Sequence, residues 1–530
     1  MRDLQLPGRS VAMGRRGAAA TSHPLSTAIA IEVLRHGGNA VDAAVTAGIL
    51  QTVLEPHNAG LGGDCHALVW KAAERRIFAL DGAGWAPQGL SDDGLLARGI
   101  GTIGTEDVHA VTVPGALDAW QRLLADHGTV SLASAFEPAI DYAENGFVLA
   151  ERAAADWAAE TAKLGRDAGA RAHFLRSDGT APRAGDLVRL PALARTMRRI
   201  ARHGADDFYR GELAATLVGA LNAMGGRHVQ ADFADYASGY VEPLRTAYRG
   251  VELVQLPPSG HGLTALVMLN VLARFEHRGL DPIGADRFHL QAEAARLAYR
   301  VRDTFVADPA FASVPVAELL SDGFADALAA RISPHRALPD DFALPAPAQR
   351  DTVYLTVVDA AGNACSLISS LFYAFGSGLV CPQTGIAFQN RGAGFRVQPG
   401  HPNSVRPRKR PLHTIIPALA MRDGAPVLSF GVMGGSYQPA GVVHVLQNIV
   451  DFGMDVQQAL DAPRGFRYTG AFEAERGISD AVLHELARRG HPVARTAVPL
   501  GGGQVIAIDP LTGVLRAGSD PRKDGTALAC

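Results

Sequence analysis

Residues 350–370 read RDTVYLTVVDAAGNACSLISS, and this stretch decides which fold the sequence predicts. TVYLTVVD is rich in β-branched residues, which favour strands, and DAAGNA has the composition of a turn. CSLISSLF predicts a second strand, so the stretch is interpreted as a β-hairpin. Thr352 opens this pattern directly after Asp351. On local pattern alone, Thr352 is an ordinary strand residue.

The segment before this hairpin has a different character. Residues 331–350 contain four prolines and have no hydrophobic periodicity. Such a segment predicts an exposed connection, where cleavage of the chain is tolerated.

Helices and strands are predicted on both sides of the connection. Residues 24–54 predict two helices, the second capped by Asn39, and a glycine-rich turn and a hairpin follow. Residues 105–330 are mostly helical in pattern, with a strand pair around residues 248–258. After Thr352, apolar strands alternate with two further helices. The mixture predicts an α/β sandwich rather than a parallel dinucleotide-binding fold.

Composition excludes several classes of function. The chain has 530 residues, 47% hydrophobic and 19% charged, with a formal net charge of −3. We therefore expect no nucleic-acid partner, and we expect no membrane partner because no apolar run is long enough to span a bilayer. The amino terminus lacks the apolar core of a secretion signal, which predicts a cytoplasmic protein. Four cysteines at unrelated spacings and single histidines predict neither a metal nor another cofactor.

A second stretch, FGVMGGSYQPAGVVHVLQ, predicts a strand, a turn at Gly434, Gly435 and Ser436, and then a helix. Backbone N–H groups at such a turn can point at a developing oxyanion, and glycine lets a substrate approach closely. The same pattern is also typical of a plain turn. The turn alone does not decide between these two interpretations.

Many collinear stretches carry a resemblance to one family, among them HGGNAVDAAVTAGILQTVLEPHNAGLGGD, YRGVELVQLPPSGHG, TVYLTVVDAAGNACSLISS, FGSGLV, KRPLHTIIPAL, GVMGGS and GSDPRKDG. Over nearly its whole length the chain resembles the γ-glutamyltransferase family of N-terminal-nucleophile hydrolases. The resemblance implies a four-layer αββα sandwich. It also implies a precursor that cuts itself between Asp351 and Thr352 into residues 1–351 and residues 352–530, which stay associated.

The resemblance implies a role for each residue of the catalytic frame. Thr352 matches the family nucleophile, and the α-amine that cleavage exposes on it serves as the base, a pairing known for amino-terminal threonines. Ser370 matches a family threonine that hydrogen-bonds the nucleophile. Gly434 and Gly435 match the oxyanion hole.

The chain departs from the family at the positions that hold a γ-glutamyl group. Ala83 stands where an arginine binds the α-carboxylate, and Phe372 and Gly394 stand where an asparagine and an aspartate hold the α-amine. His413 and Thr414 replace a serine pair that also contacts the carboxylate. Each lost charge-assisted contact is worth about 1.5–3 kcal/mol, so we expect an altered substrate.

Arg391, three residues before Gly394, is the candidate for binding the new substrate, because a planar guanidinium suits a carboxylate. An arginine in a structural salt bridge is the alternative. We expect Phe372 to narrow the pocket and His413 and Thr414 to line it.

The departures resemble those of oxamate amidohydrolases and cephalosporin-acylase-like members. They favour an amidohydrolase that cleaves a small acyl amide bearing a carboxylate, of which oxamate is the simplest example. Two alternatives stay open, a γ-glutamyltransferase or glutathione hydrolase and an uncleaved, catalytically silent binding protein. The assembly of processed units, a homodimer or a tetramer, stays open as well.

Overall fold

The computed structural model describes Gln5, residues 8–339 and residues 352–530. Asp351 and residues 340–350 of the predicted connection lie outside the described residues. The strands, in chain order, are β1 Ala12–Gly14, β2 Gly17–Thr21, β3 Asp64–Lys71, β4 Arg76–Gly82, β5 Phe147–Val148, β6 Leu187–Val188, β7 Gly239–Val241, β8 Leu244–Tyr248, β9 Val251–Gln255, β10 Val353–Asp359, β11 Ala364–Ser370, β12 Ala418–Arg422, β13 Ala425–Met433, β14 Gly465–Phe466, β15 Phe472–Ala474, β16 Val493–Arg495, β17 Gly502–Ile508, β18 Leu515–Ser519 and β19 Thr526–Ala529.

The helices are α1 Pro24–Arg35, α2 Ala40–Leu54, α3 Asp92–Leu96, α4 Ala116–His127, α5 Leu132–Asn145, α6 Glu151–Ala159, α7 Thr161–Leu164, α8 Ala168–Phe174, α9 Pro191–His203, α10 Ala205–Tyr209, α11 Glu212–Ala223, α12 Gln230–Ala234, α13 Gly262–Leu272, α14 Ala285–Phe305, α15 Val316–Leu319, α16 Asp322–Ala329, α17 Gln438–Val450, α18 Val456–Asp461 and α19 Asp480–Arg488. Short 3₁₀ turns lie at Val108–Ala110, Arg391–Gly394 and Gly435–Tyr437. In the described part of the chain, no helix is long and apolar enough to cross a bilayer.

Two seven-stranded antiparallel sheets form the centre of the described fold. One sheet has the order β1-β18-β17-β13-β12-β9-β8, and the other has the order β19-β2-β10-β11-β3-β4-β7. An apolar layer that includes Leu68, Val358 and Ile506 packs between them. Helices α1, α2, α4 and α5 cover the outer face of the second sheet, and α13, α14 and α17 cover the first. The predicted four-layer αββα sandwich is confirmed.

Strand β10 is buried along its whole length because a layer packs on each of its faces. Leu355 and Val357 face α2 in one core, while Tyr354 contacts Met433 of the opposite sheet in another. The hydroxyls of Thr356 and Ser429 meet across the two sheets at 2.6 Å. Alternation along a strand therefore places position 352 on the face shared by the two sheets.

Most local predictions agree with the structure. Asn39 caps α2 by accepting from the backbone N–H groups of Val41 and Asp42, and Asp42 accepts from the Asn39 N–H in return. The hairpin of β3 and β4 is confirmed, and so is the strand pair near residue 250, which is formed by β8 and β9. The short strands β5, β6 and β7 within the helical region were not predicted. They contain two or three residues each, too few to produce a clear alternation.

Candidate active site

Thr352 lies at the entry to β10 and is 1% exposed. Because Val353 pairs with Ser369 across the ladder, the neighbouring Ser370 ends β11 beside Thr352. The two hydroxyl oxygens are 3.2 Å apart, and either can be the donor. The Ser370 oxygen also accepts from the backbone N–H of Phe372 at 2.8 Å. The ladder thus brings together the two hydroxyls that the sequence analysis pairs.

The predicted strand–turn–helix around Gly434 is present. Strand β13 ends at Met433, Gly434 and Gly435 follow with φ of 119° and 54°, and α17 begins at Gln438. A Cβ on Gly434 would lie 2.8 Å from the Cα of Gly501. Both the left-handed backbone and this close approach require glycine at position 434.

A cavity of about 150 Å³ lies against Met433 and Gly434. The charged side chains in its walls are Arg152, Asp156, Glu160 and Lys523. Although burial raises the pKa of Asp156, Lys523 and Arg152 hold it at about 2, so this carboxylate is ionised at neutral pH. The cavity combines these charged groups with apolar walls, and it is large enough for waters or a small amide.

Arg391 is fully buried in the 3₁₀ turn Arg391–Gly394. Its Nη1 donates to the Thr414 hydroxyl at 2.7 Å, and its guanidinium carbon lies 4.1 Å from the centre of the Phe372 ring. The Phe372 N–H donates to the Ser370 hydroxyl, so Phe372 also borders the pair of hydroxyls formed by Thr352 and Ser370. Phe372, at φ of 85°, therefore connects the threonine to the arginine.

His413 is also fully buried, and its Nε2 lies 2.9 Å from Oδ2 of Asp64. Burial, reinforced by the positive charge of Arg391, lowers the pKa of His413 well below its usual range. Burial raises the pKa of Asp64 to about 6, against the opposing effects of Arg391, Gln389 and Gly84. At neutral pH a neutral histidine therefore donates to a charged aspartate.

The two other departures from the family have backbone carbonyls that accept from side chains. Ala83 is fully buried, and its carbonyl accepts from Arg410 Nε at 3.1 Å and from the Tyr236 hydroxyl at 3.2 Å. The carbonyl of Gly394 accepts from Asn403 Nδ2 at 2.8 Å. An arginine side chain therefore reaches the backbone of position 83 from the KRPLHT segment.

The structure thus groups most of the predicted site residues around one end of the two sheets. A continuous series of contacts runs from Thr352 to Ser370, then to Phe372, Arg391 and Thr414. The sequence analysis missed Asp64 and the charged walls of the cavity. Both lie in stretches that carry the family resemblance, since Asp64 ends GLGGD and Lys523 lies in GSDPRKDG. These motifs mark the residues, but they do not show which groups the charged side chains contact.

An αββα sandwich built on two antiparallel seven-stranded sheets is the fold of the N-terminal-nucleophile hydrolases. The solved structure of the cephalosporin acylase from Bacillus halodurans matches this fold with a TM-score of 0.93 and 38% identity, over 100% of this chain and 99% of that one. The sequence profile described as Gamma-glutamyltranspeptidase matches residues 26–530. The chain belongs to the γ-glutamyltranspeptidase family.

Two curated relatives extend over nearly the same length. The Glutathione hydrolase-like YwrD proenzyme of Bacillus subtilis is 34% identical over 530 residues, which cover 97% of this chain and 99% of that protein. The Oxamate amidohydrolase proenzyme of Klebsiella pneumoniae is 32% identical over 526 residues, covering 96% and 98%. The chain is accordingly an amidohydrolase or acyltransferase of this family.

We expect Gly434→Ala to lower thermal stability more than Gly453→Ala does. An alanine at left-handed φ costs roughly 1–2 kcal/mol in either place, but only position 434 adds a clash with the backbone. Gly453, at φ of 65°, is the matched control, because a Cβ added there would meet nothing within 4 Å beyond its chain neighbours. Thermal unfolding of both variants tests this, and equal losses of stability would contradict it.

Proposed function

We propose that the chain is a self-processing threonine amidohydrolase. Thr352 is the nucleophile, and cleavage before it yields fragments of residues 1–351 and 352–530. The observation that carries this proposal is the buried Thr352 hydroxyl, 3.2 Å from the Ser370 hydroxyl at the start of a central strand. Relatives named as proenzymes support the processing step.

The sheet order explains how the fragments would stay together. In one sheet β10 and β11 of the smaller fragment lie between β2 and β3 of the larger one. In the other sheet β9 of the larger fragment pairs with β12 of the smaller one. Cleavage between Asp351 and Thr352 would break one peptide bond and leave every ladder intact.

The proposed reaction begins at Thr352. The Thr352 hydroxyl attacks the amide carbonyl, and its proton passes to the α-amine, whose reference pKa is about 7.7–8.0. Backbone N–H groups at Gly434 and Gly435 stabilise the tetrahedral oxyanion. The leaving nitrogen takes the proton from the α-amine and departs, which leaves an acyl ester on Thr352. Water then hydrolyses this ester and releases the acid.

The contacts of Arg391 support a substrate that is a small acyl amide bearing a carboxylate, such as oxamate. The guanidinium lies between the Thr414 hydroxyl and the Phe372 ring, and Phe372 borders the nucleophile. Phe372 occupies the position where γ-glutamyl enzymes bind an α-amine, so a short acyl group fits better. A charged, planar guanidinium favours a substrate that bears a carboxylate.

Glutathione hydrolysis is the second candidate, because a relative covering nearly the whole chain is named glutathione hydrolase-like. The two candidates differ in the group that must be bound. A γ-glutamyl substrate presents both an α-carboxylate and an α-amine, whereas Phe372 and Gly394 provide no acceptor side chain for the amine.

Thr352→Ala should give a single uncut chain on a denaturing gel, because no hydroxyl remains to attack the carbonyl before it. Thr352→Ser should still be processed, more slowly, since the hydroxyl stays but the methyl that restricts its rotamer is lost. Amino-terminal sequencing of the smaller wild-type fragment should read Thr-Val-Tyr-Leu. A different first residue would contradict the assignment of the nucleophile.

The α-amine of Thr352 should act as the base. Activity of the processed protein should rise with pH through one ionisation close to the reference value of about 7.7–8.0, because only the neutral amine accepts a proton. Acetylation of this amine turns it into a non-basic amide, so it should remove most activity while circular dichroism stays unchanged. Full activity after verified acetylation of the Thr352 amine would show that another group is the base.

Arg391→Ala should lower kcat/KM for oxamate by the equivalent of about 1.5–3 kcal/mol and leave self-cleavage intact. Arg391→Lys should lose less, because it keeps the charge but not the planar fork. Ammonia release from oxamate, from a neutral amide of similar size and from glutathione is the measurement. Turnover of the neutral amide should change little in either variant.

Arg287→Lys is the matched control, because Arg287 is equally buried but lies against Phe452, 4.7 Å from the ring centre. It should leave the preference for oxamate over the neutral amide unchanged. Glutathione as the best substrate of the three would favour the second candidate instead. Equal losses for oxamate and the neutral amide in Arg391→Ala would contradict the role of Arg391.

A further inference from the structure

Asp64 is a fully buried carboxylate that the proposed reaction does not use. Its Oδ1 accepts from the backbone N–H groups of Gly84 and Gly115 at 3.0 and 3.1 Å and from Gln389 Nε2 at 2.8 Å. Its Oδ2 faces His413 Nε2 at 2.9 Å. Each of these partners is a donor, which suits the ionised form of the carboxylate.

The contacts of His413 define its tautomer. Its Nδ1 accepts from the backbone N–H of Ile415 at 3.4 Å, so the ring proton lies on Nε2 and points at Asp64. The His413 backbone is held as well, because its N–H donates to Ser259 and its carbonyl accepts from the His261 N–H. Asp64 therefore fixes both the proton and the orientation of this ring.

His413 is joined directly to Thr414, which holds Arg391. The Thr414 hydroxyl accepts from Arg391 Nη1 at 2.7 Å, and the Thr414 carbonyl lies 2.6 Å from His261 Nε2. A chain of contacts therefore runs from Asp64 through His413 and Thr414 to the guanidinium. Burial raises the pKa of Asp64 and lowers that of His413, and the charge of Arg391 opposes the first shift and reinforces the second.

We propose that Asp64 is a positioning residue that, through His413 and Thr414, sets the direction of the Arg391 guanidinium and so determines the preference for amides that bear a carboxylate. This inference rests on the proposed function. Under this inference His413 transmits the effect of Asp64 and does not contact the substrate, because the Nε2 of His413 is directed at Asp64.

The alternative is a purely structural carboxylate that joins the loops at Gly84, Gly115 and Gln389. The two roles predict different kinetics. A structural role lowers activity toward every amide together, whereas a positioning role acts only on substrates that Arg391 binds. A structural role also gives a loss that does not depend on Arg391.

Asp64→Asn tests the difference. The amide can keep an oxygen toward Gly84, Gly115 and Gln389, but it then presents N–H to His413 Nε2. Two donors would face each other, so the ring must change tautomer or turn, and it loses its contact with Ile415 N–H. We expect KM for oxamate to rise about tenfold, the scale of one charge-assisted hydrogen bond, while kcat/KM for a neutral amide falls far less.

The decisive measurement is a double-mutant cycle with Arg391→Ala, scored as the ratio of kcat/KM for oxamate to that for the neutral amide. If Asp64 acts through Arg391, Asp64→Asn should lower this ratio in the wild-type background and leave it unchanged in Arg391→Ala. A ratio that falls equally in both backgrounds, or in neither, would overturn the inference.

Two further variants complete the design. Asp42→Asn is the matched control, because Asp42 is a fully buried carboxylate that accepts from Thr129 and Val130 at the start of α2, and it should leave the ratio unchanged. If Asp64→Asn fails to fold, His413→Gln replaces it in the cycle, since an amide can donate to Asp64 but cannot also accept from Ile415. A wild-type protein with no preference for oxamate over the neutral amide would contradict the proposed function. A wild-type preference that persists unchanged in Asp64→Asn and in His413→Gln would contradict only the role of Asp64.

Discussion

The whole arrangement depends on the way β10 is held. This strand pairs with β2 on one side and β11 on the other, and it lies between α2 and the opposite sheet. Because β10 is buried on both faces, a shift of its register would turn its side chains to the opposite faces and break both ladders. The residue at its entry therefore has one position relative to Ser370 and to the end of β13.

Under the proposed function, this constraint also sets the geometry of the reacting groups. An amino-terminal threonine is useful only if its hydroxyl points toward the oxyanion donors and its amine can reach the same proton. The antiparallel ladder places Ser370 beside Thr352, and the packing of Tyr354 against Met433 brings the end of β13 to the same region. The long-range pairing of strands therefore determines where these residues lie relative to one another.

Buried charge is the second constraint on the site. Arg391, Asp64 and His413 are all fully buried, and a buried charge is tolerated only when it is paired or well hydrogen-bonded. Asp64 meets this condition with four donors, and His413 meets it by remaining neutral. Under the proposed role of Asp64, the same network that makes these charges tolerable also restricts where the guanidinium of Arg391 can point.

Local sequence patterns predicted much of the fold. Alternating and β-branched residues predicted β10, β11 and the β3–β4 hairpin, and Asn39 predicted the start of α2. These features are local, since a strand, a turn or a cap depends on residues a few positions apart. The short strands β5, β6 and β7 lacked such a signal because each is stabilised by its neighbours rather than by its own composition.

The sequence by itself determined the family, the candidate nucleophile and the positions at which this chain departs from γ-glutamyl enzymes. Only the tertiary structure decided what the replacement residues contact. Asp64 and His413 are 349 residues apart along the chain, and Arg391 meets Phe372 and Thr414 from different segments. A buried polar group must find a partner, but which partner it finds depends on how distant segments pack, and no local pattern encodes that choice.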